Sequence, residues 1–336
     1  MTLQTIGDMT RSFALVRQST NLKQQLGRLT QELSSGQASN LTDHLSGNLL
    51  RLSQIEHDSV TLRSHQIAAR EAALDAAAMQ VALGQVQTLS TGLAGTAITI
   101  GSAPGGAQMD NLAVEARGTL GSIIGALNTQ AAGRALFSGT QTDRAPLASV
   151  ETLLGDLRVA IHGAHGPAAV RTAVDDFFDT PGGGFETTIY LGGTENLSAY
   201  DLGAGESVAL TIRGDDPVLR NQLKHVALVA LSDDLGALLS DEDGRDLARG
   251  AGESLLAGQQ GLAALRSNLG FAEARIDHAT SRVSAEITAV QITRNDLVSV
   301  DPFETAANLE KVQIQIETLY TLTARSARLS LVNFLQ

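Results

Sequence analysis

The chain has no cysteine and no tryptophan, only six prolines in 336 residues, and aromatics amount to 3%. Without cysteine there is no disulfide, no thiolate nucleophile and no Cys metal site. A core so poor in rings is built from thin helices packed closely, and it lacks the aromatic anchors of a typical enzyme pocket. Basic patches are missing as well. Lys and Arg number 24 against 36 Asp and Glu, for a net charge of −12, which argues against nucleic acid as a partner. The first twenty residues hold no apolar run of the kind a Sec-type signal peptide needs. The charge-free run from Ala76 to Met109 could span a bilayer by length. Gln80, Gln85, Gln87, Thr88, Ser90 and Thr91 interrupt it, so no membrane insertion is expected.

What is present divides along the prolines, which stand at 104, 146, 167, 181, 217 and 302. Residues 1–103 and 218–301 are therefore open to unbroken helix. The last segment, Asp301–Gln336, starts with Asp301 as an N-cap, Pro302 at the first helical position and Glu304 where a capping box places it. Leu309, Val312, Ile316 and Leu319 follow at 3-4-3 spacing, and Leu331, Phe334 and Leu335 close the chain. The first segment is its counterpart. Ile6, Met9, Phe13 and Val16 form one stripe, and Leu22, Leu26, Leu29 and Leu33 form another. Such heptad-like spacing is how helices pair along their length. These fifteen residues are the expected assembly interface, because neither end can cover its own apolar face.

Between the ends, a second helix is expected from about Asp43 to Thr99 and a third over about Gln108–Leu136. Another returns from about Arg245, where Leu262, Leu265, Leu269, Ala272, Ile276, Ala279 and Val283 keep strict 3-4 alternation. The stretch between is different. Residues 141–250 hold 18 acidic and 8 basic side chains, whereas 1–140 hold 9 of each and 251–336 hold 9 and 7. Short helices are expected at Val150–Ile161, Pro167–Phe178 and Pro217–Leu231, and strands at 187–191 and 208–212. The fold class is therefore mainly α: a long antiparallel helical rod with coiled-coil N- and C-terminal helices and a small α+β insertion. Three domains follow: a terminal assembly domain of 1–42 and 300–336, a helical rod of 43–144 and 233–299, and an acidic insertion of 145–232. The insertion is expected to be dispensable for folding of the rest.

The chemistry that can be sought in the sequence is mostly negative. His162-x-x-His165 sits among Gly163 and Gly166, which makes it a loop without an acidic partner at a helpful spacing. Asp241-Glu242-Asp243 lacks the full twelve-residue calcium pattern and reads as a solvated acidic turn. There is no G-x-S-x-G and no phosphate loop. No catalytic residue, metal site or cofactor is expected, and the chain is read as a non-enzyme.

Three stretches resemble the bacterial flagellin superfamily. Leu29–Gly47 (LTQELSSGQASNLTDHLSG) is similar to the family's first helix end and loop, although Asp43 comes one place early and His44 and Leu45 replace the usual paired acids. Leu127–Leu147 contains LFSGT (Leu136–Thr140) followed by a short turn and Pro146, and it resembles hook-associated protein 3, the hook–filament junction family. Leu309–Leu335 resembles the family's closing helix, with Ser330, Leu331, Asn333, Phe334 and Leu335 filling its terminal pattern. The resemblance implies a structural subunit of the flagellum at the hook–filament junction, assembled as a ring of copies through its terminal helices. It also implies export through the flagellar type III apparatus without a cleaved signal, with other hook-associated proteins, flagellin and an export chaperone as partners. The alternatives are a flagellin filament subunit and, more distantly, a cytosolic coiled-coil scaffold.

Overall fold

The computed structural model describes residues 5–103 and 108–334, with the side chains of 5–9, 11–12, 237 and 326–334 outside that description. Among the described residues ten α-helices run in the order α1 Thr5–Ser35, α2 Leu41–His44, α3 Leu50–Gly101, α4 Met109–Leu127, α5 Val150–Ile161, α6 Pro167–Asp179, α7 Pro217–Ala230, α8 Asp241–Ala257, α9 Gln259–Val298 and α10 Pro302–Phe334. Two small antiparallel hairpins complete the described residues, β1 Gln130–Ala131 with β2 Arg134–Ala135, and β3 Tyr200–Gly203 with β4 Glu206–Val208. The fold is mainly α. No helix among the described residues is long and apolar enough to cross a membrane.

The chain divides into two compact units, 1–63 with 285–336 and 64–284. In the first, α1 pairs with α10. Lys23 lies over the Tyr320 ring at 5.8 Å, and the Val300 amide donates to the Gly36 carbonyl at 3.1 Å. The two helices are therefore antiparallel. The C-terminal helix begins where its cap residues dictate, since the Asp301 carboxylate accepts from the amides of Phe303 at 2.8 Å and Glu304 at 3.2 Å.

The second unit is held by one continuous core. Its longest row is on α3, where Ala69, Ala72, Ala76, Met79, Leu83, Val86, Ser90, Leu93 and Ala97 are all buried at alternating 3-4 spacing. Four of these nine are alanine, so the row is hard to see in a hydropathy pattern although its period is perfect. On the part of α9 in this unit, Leu262, Leu269, Ile276, Ala279 and Val283 of the expected row are buried, with Leu265 and Ala272 half-buried beside them. Arg266 ties the two helices, its Nε donating to Gln80 Oε1 at 2.9 Å and its Nη1 to Gln87 Oε1 at 2.6 Å. Residues 145–232 join this core and do not close one of their own. Leu153, Leu157, Val170, Phe178, Phe185, Leu219, Leu223 and Val226 are buried in the same cluster as the α3 row and as Leu120, Ile123 and Leu127 of α4, and α4 packs mainly along α7.

Several expected elements differ. The strand expected at 187–191 is mostly a single π-helical turn, Phe185–Ile189, and survives only as an antiparallel bridge between Tyr190 and Leu147. Thr187 and Thr188 look like strand residues, but their hydroxyls bond back to the carbonyls of Gly183 at 2.9 Å and Gly184 at 2.8 Å. The strand expected at 208–212 stops at Val208, the residue paired with Tyr200. The helix expected from Asp43 is broken after His44, where Ser46 and Gly47 take positive φ of 52° and 78°. The third helix ends at Leu127, not Leu136, because Asn128 leaves the helix to bond both backbone groups of Leu147.

One buried titratable pair sets a pH dependence. Burial opposes the Lys224 charge, yet its Nζ donates to Asp175 at 2.8 Å and Asp179 at 2.6 Å, and these carboxylates hold it above its usual range. Beside it, His225 is pushed down from 6.5 to about 4, first by burial and then by the Lys224 charge. The unfolded chain binds this proton near pH 6.5 and the folded chain only near 4, so stability falls as pH drops through that window. The full loss is about 3 kcal/mol. His225→Gln should flatten that part of the slope, measured as urea stability of variant and parent across the same pH range.

Candidate assembly surface

The fifteen residues singled out by periodicity separate into three groups. Leu22, Leu29, Val312 and Leu319 are buried against one another, with Leu26, Leu309 and Ile316 half-buried beside them and Leu15 joining the cluster. The side chains of Ile6, Met9, Leu331, Phe334 and Leu335 lie outside the described residues. Phe13 and Val16 face solvent, 78% and 63% exposed, and Leu33 is also exposed. The periodicity thus finds the seam between α1 and α10, and with it residues the seam does not use.

The exposed set is larger than the sequence pattern suggested. On α10, Phe303 is 86% exposed and Ile314 55%. They stand eleven residues apart, about three turns, so they share a face. Counted at 100° per residue, that face is opposite the Val312–Leu319 seam, and Tyr320 and Leu322, both exposed, flank it on either side. Phe13 on α1 is likewise about half a turn from Leu22. Each terminal helix therefore carries apolar side chains on its inner and its outer side. A helix that is apolar all round is normally buried all round. Phe303 and Ile314 were not singled out from sequence because they fall off the 3-4 row. The available signal was the lack of any fully polar face on α10.

No group of three or more His, Cys, Asp or Glu placed to hold a metal occurs among the described residues. His162 and His165 lie in the loop between α5 and α6.

The helices that bear this surface are also where comparison with known proteins is informative. Residues 258–335 match the bacterial flagellin C-terminal helical region. The match spans α9 and α10, so the matched segment carries both Val312 and Leu319 of the seam and the outward Phe303 and Ile314. No curated protein matches the chain significantly. A solved structure of a candidate flagellar hook-associated protein from Vibrio parahaemolyticus is similar at 15% identity and a TM-score of 0.48, covering 74% of this chain and 96% of that one. That likeness is too distant to bear on function.

Proposed function

We propose that the chain is a structural subunit of the bacterial flagellum that assembles with copies of itself through α1 and α10. The observation that carries this reading is the doubly apolar character of those helices, on a segment that matches the flagellin C-terminal region. Among the described residues, α1 and α10 bury four apolar side chains against each other, over helices of 31 and 33 residues. At about 2 kcal/mol for each buried side chain, that is little to order two such long helices. A second layer of copies against Phe13, Val16, Phe303 and Ile314 supplies the missing burial. The specific place we propose is a ring at the hook–filament junction, reached by type III export without a cleaved signal. Its neighbours there are other hook-associated proteins and flagellin, with a chaperone before export. The residues 1–42 and 300–336 are the assembly part in this scheme.

The test is the double variant Phe13→Asp with Ile314→Asp. Both side chains are exposed, so the isolated chain should keep its circular dichroism and melt within about 0.5 kcal/mol of the parent. In assembly, each aspartate would be buried unpaired at every copy, a cost of several kcal/mol per subunit. Polymer formation should be lost, read by sedimentation and by filament counts in cells. Filaments in normal number would overturn the assembly reading. Immunogold labelling of the parent separates junction from filament: label confined to the hook tip fits the ring, and label along the filament fits the flagellin alternative.

A further inference from the structure

Between α6, α7 and α8 lies an open cavity of about 360 Å³. Val174, Leu228 and Leu247 are buried and make its apolar wall. The remainder is charged and balanced, with Arg171, Lys224 and Arg249 against Asp175, Asp246 and Glu253. Much of that charge is already committed. Lys224 is held by Asp175 and Asp179, and Arg249 Nη2 donates to Asp246 Oδ1 at 2.9 Å. Among the described residues, Arg171 and Glu253 have no ion-pair partner. His225 adds a buried Nδ1 with no hydrogen-bond partner in the protein. Gly250 stands where a side chain would crowd the Arg171 guanidinium, whose Nη2 lies 3.2 Å from the position a Cβ would take.

We propose that this cavity binds a small zwitterion with an aliphatic tail, the chemistry of a free amino acid such as leucine. Its carboxylate pairs with the Arg171 guanidinium and its ammonium with Glu253, while the tail lies against Val174, Leu228 and Leu247. A simple anion would pair with Arg171 but leave Glu253, the one lining carboxylate without an ion pair, facing it. A simple cation would pair with Glu253 but leave the Arg171 charge facing it without a partner. A ligand carrying both charges answers both uncommitted groups at once, and the apolar wall gives its tail a place out of water.

The site is independent of the assembly surface, so its failure leaves that reading untouched. The test is calorimetry and thermal melting of the full chain with L-leucine, N-acetyl-leucine and leucinamide, the last two each lacking one charge. Leucine should bind and raise the melting temperature, and each analogue should bind about tenfold more weakly or worse. Arg171→Gln should make leucine and leucinamide equivalent, and Glu253→Gln should do the same for leucine and N-acetyl-leucine. Both residues are exposed, so the unliganded melting temperature should not move. No heat and no shift with leucine at millimolar concentration would refute the proposal. So would equal binding of all three compounds, which would mark a merely apolar site, or unchanged selectivity in either variant.

Discussion

Replacing Gly139 by alanine should lower the melting temperature of the 64–284 unit by about 10 °C, from a loss of about 3–5 kcal/mol. Gly139 lies in the LFSGT stretch, and the structure gives that stretch a mechanical role. Phe137 and Ser138 are fully buried. Around them, the Gly214 amide donates to the Phe137 carbonyl at 2.8 Å, the Gly193 amide to the Ser138 carbonyl at 2.8 Å, and the Thr140 amide to the Glu195 carbonyl at 3.1 Å. The Ser138 hydroxyl donates to the Arg144 carbonyl at 2.9 Å. Three short segments meet here through main-chain bonds, and the Ser138 side chain ties in a fourth. Gly139 holds φ of +59° in the middle of them, and a Cβ would overlap the Glu195 carbonyl oxygen while reaching 3.0 Å from that of Gly193. Backbone has to move to admit a methyl group, so the bonds that tie 137–140 to 193–195 are lost together. Gly133→Ala is the matched control. It has a similar φ of +78° but open space around its Cβ, so it should show only the conformational cost of about 1 kcal/mol. Equal melting temperatures for the two variants would show that the junction tolerates the methyl.

Cutting out residues 145–232 and bridging the gap with a Gly/Ser linker should abolish cooperative unfolding of the second unit. The deletion removes α5, α6 and α7, and with α7 goes the surface against which α4 is packed. Leu120, Ile123 and Leu127, all fully buried, would be laid bare, and the Phe137 and Ser138 carbonyls would lose the bonds they accept from the Gly214 and Gly193 amides. Each large side chain exposed costs about 1.5–3 kcal/mol, and the sum approaches the whole stability of an ordinary domain. Thermal melts followed by near-ultraviolet circular dichroism, with dye binding as a second probe, are the check. A sharp transition near the parent temperature would show that 145–232 is an appendage after all, as composition and charge alone suggest.

That contrast shows what the sequence could convey and where it could not. Helices announced by apolar side chains in period were legible, including the Leu262–Val283 row of α9 and the Leu309–Leu319 row of α10. So were starts marked by a cap and a proline, as at Asp301-Pro302 and Asp216-Pro217, where the Asp216 carboxylate accepts from the Val218 amide at 2.9 Å. The alanine row of α3 was obscured because alanine carries too little hydropathy to stand out, however regular its spacing. Membership of 145–232 in the common core was obscured for another reason. Charge describes the outer surface of a segment, and Asp175, Asp179 and Asp215 all lie there in ion pairs. It says nothing of Phe178, Phe185 or Leu223 on the inner side. Of the strand assigned at 187–191 only the Tyr190–Leu147 bridge forms, because the hydroxyls of Thr187 and Thr188 found local carbonyls. As for the proposed assembly surface, periodicity located the seam residues but not the exposed Phe303 and Ile314, which fall off the period.

The pairing of α1 with α10 also has a consequence for when the molecule can be finished. Leu22 and Leu29 precede Val312 and Leu319 by roughly 290 residues of chain. At about 5–20 residues per second, translation separates the two halves of that seam by about 15–60 s. The 64–284 unit has all its residues before α10 is made, so it can close first. The terminal seam is then the last contact formed. During that interval α1 presents Leu22, Leu26 and Leu29 to whatever meets it first, and its choice of partner is settled by order of arrival as much as by strength of binding.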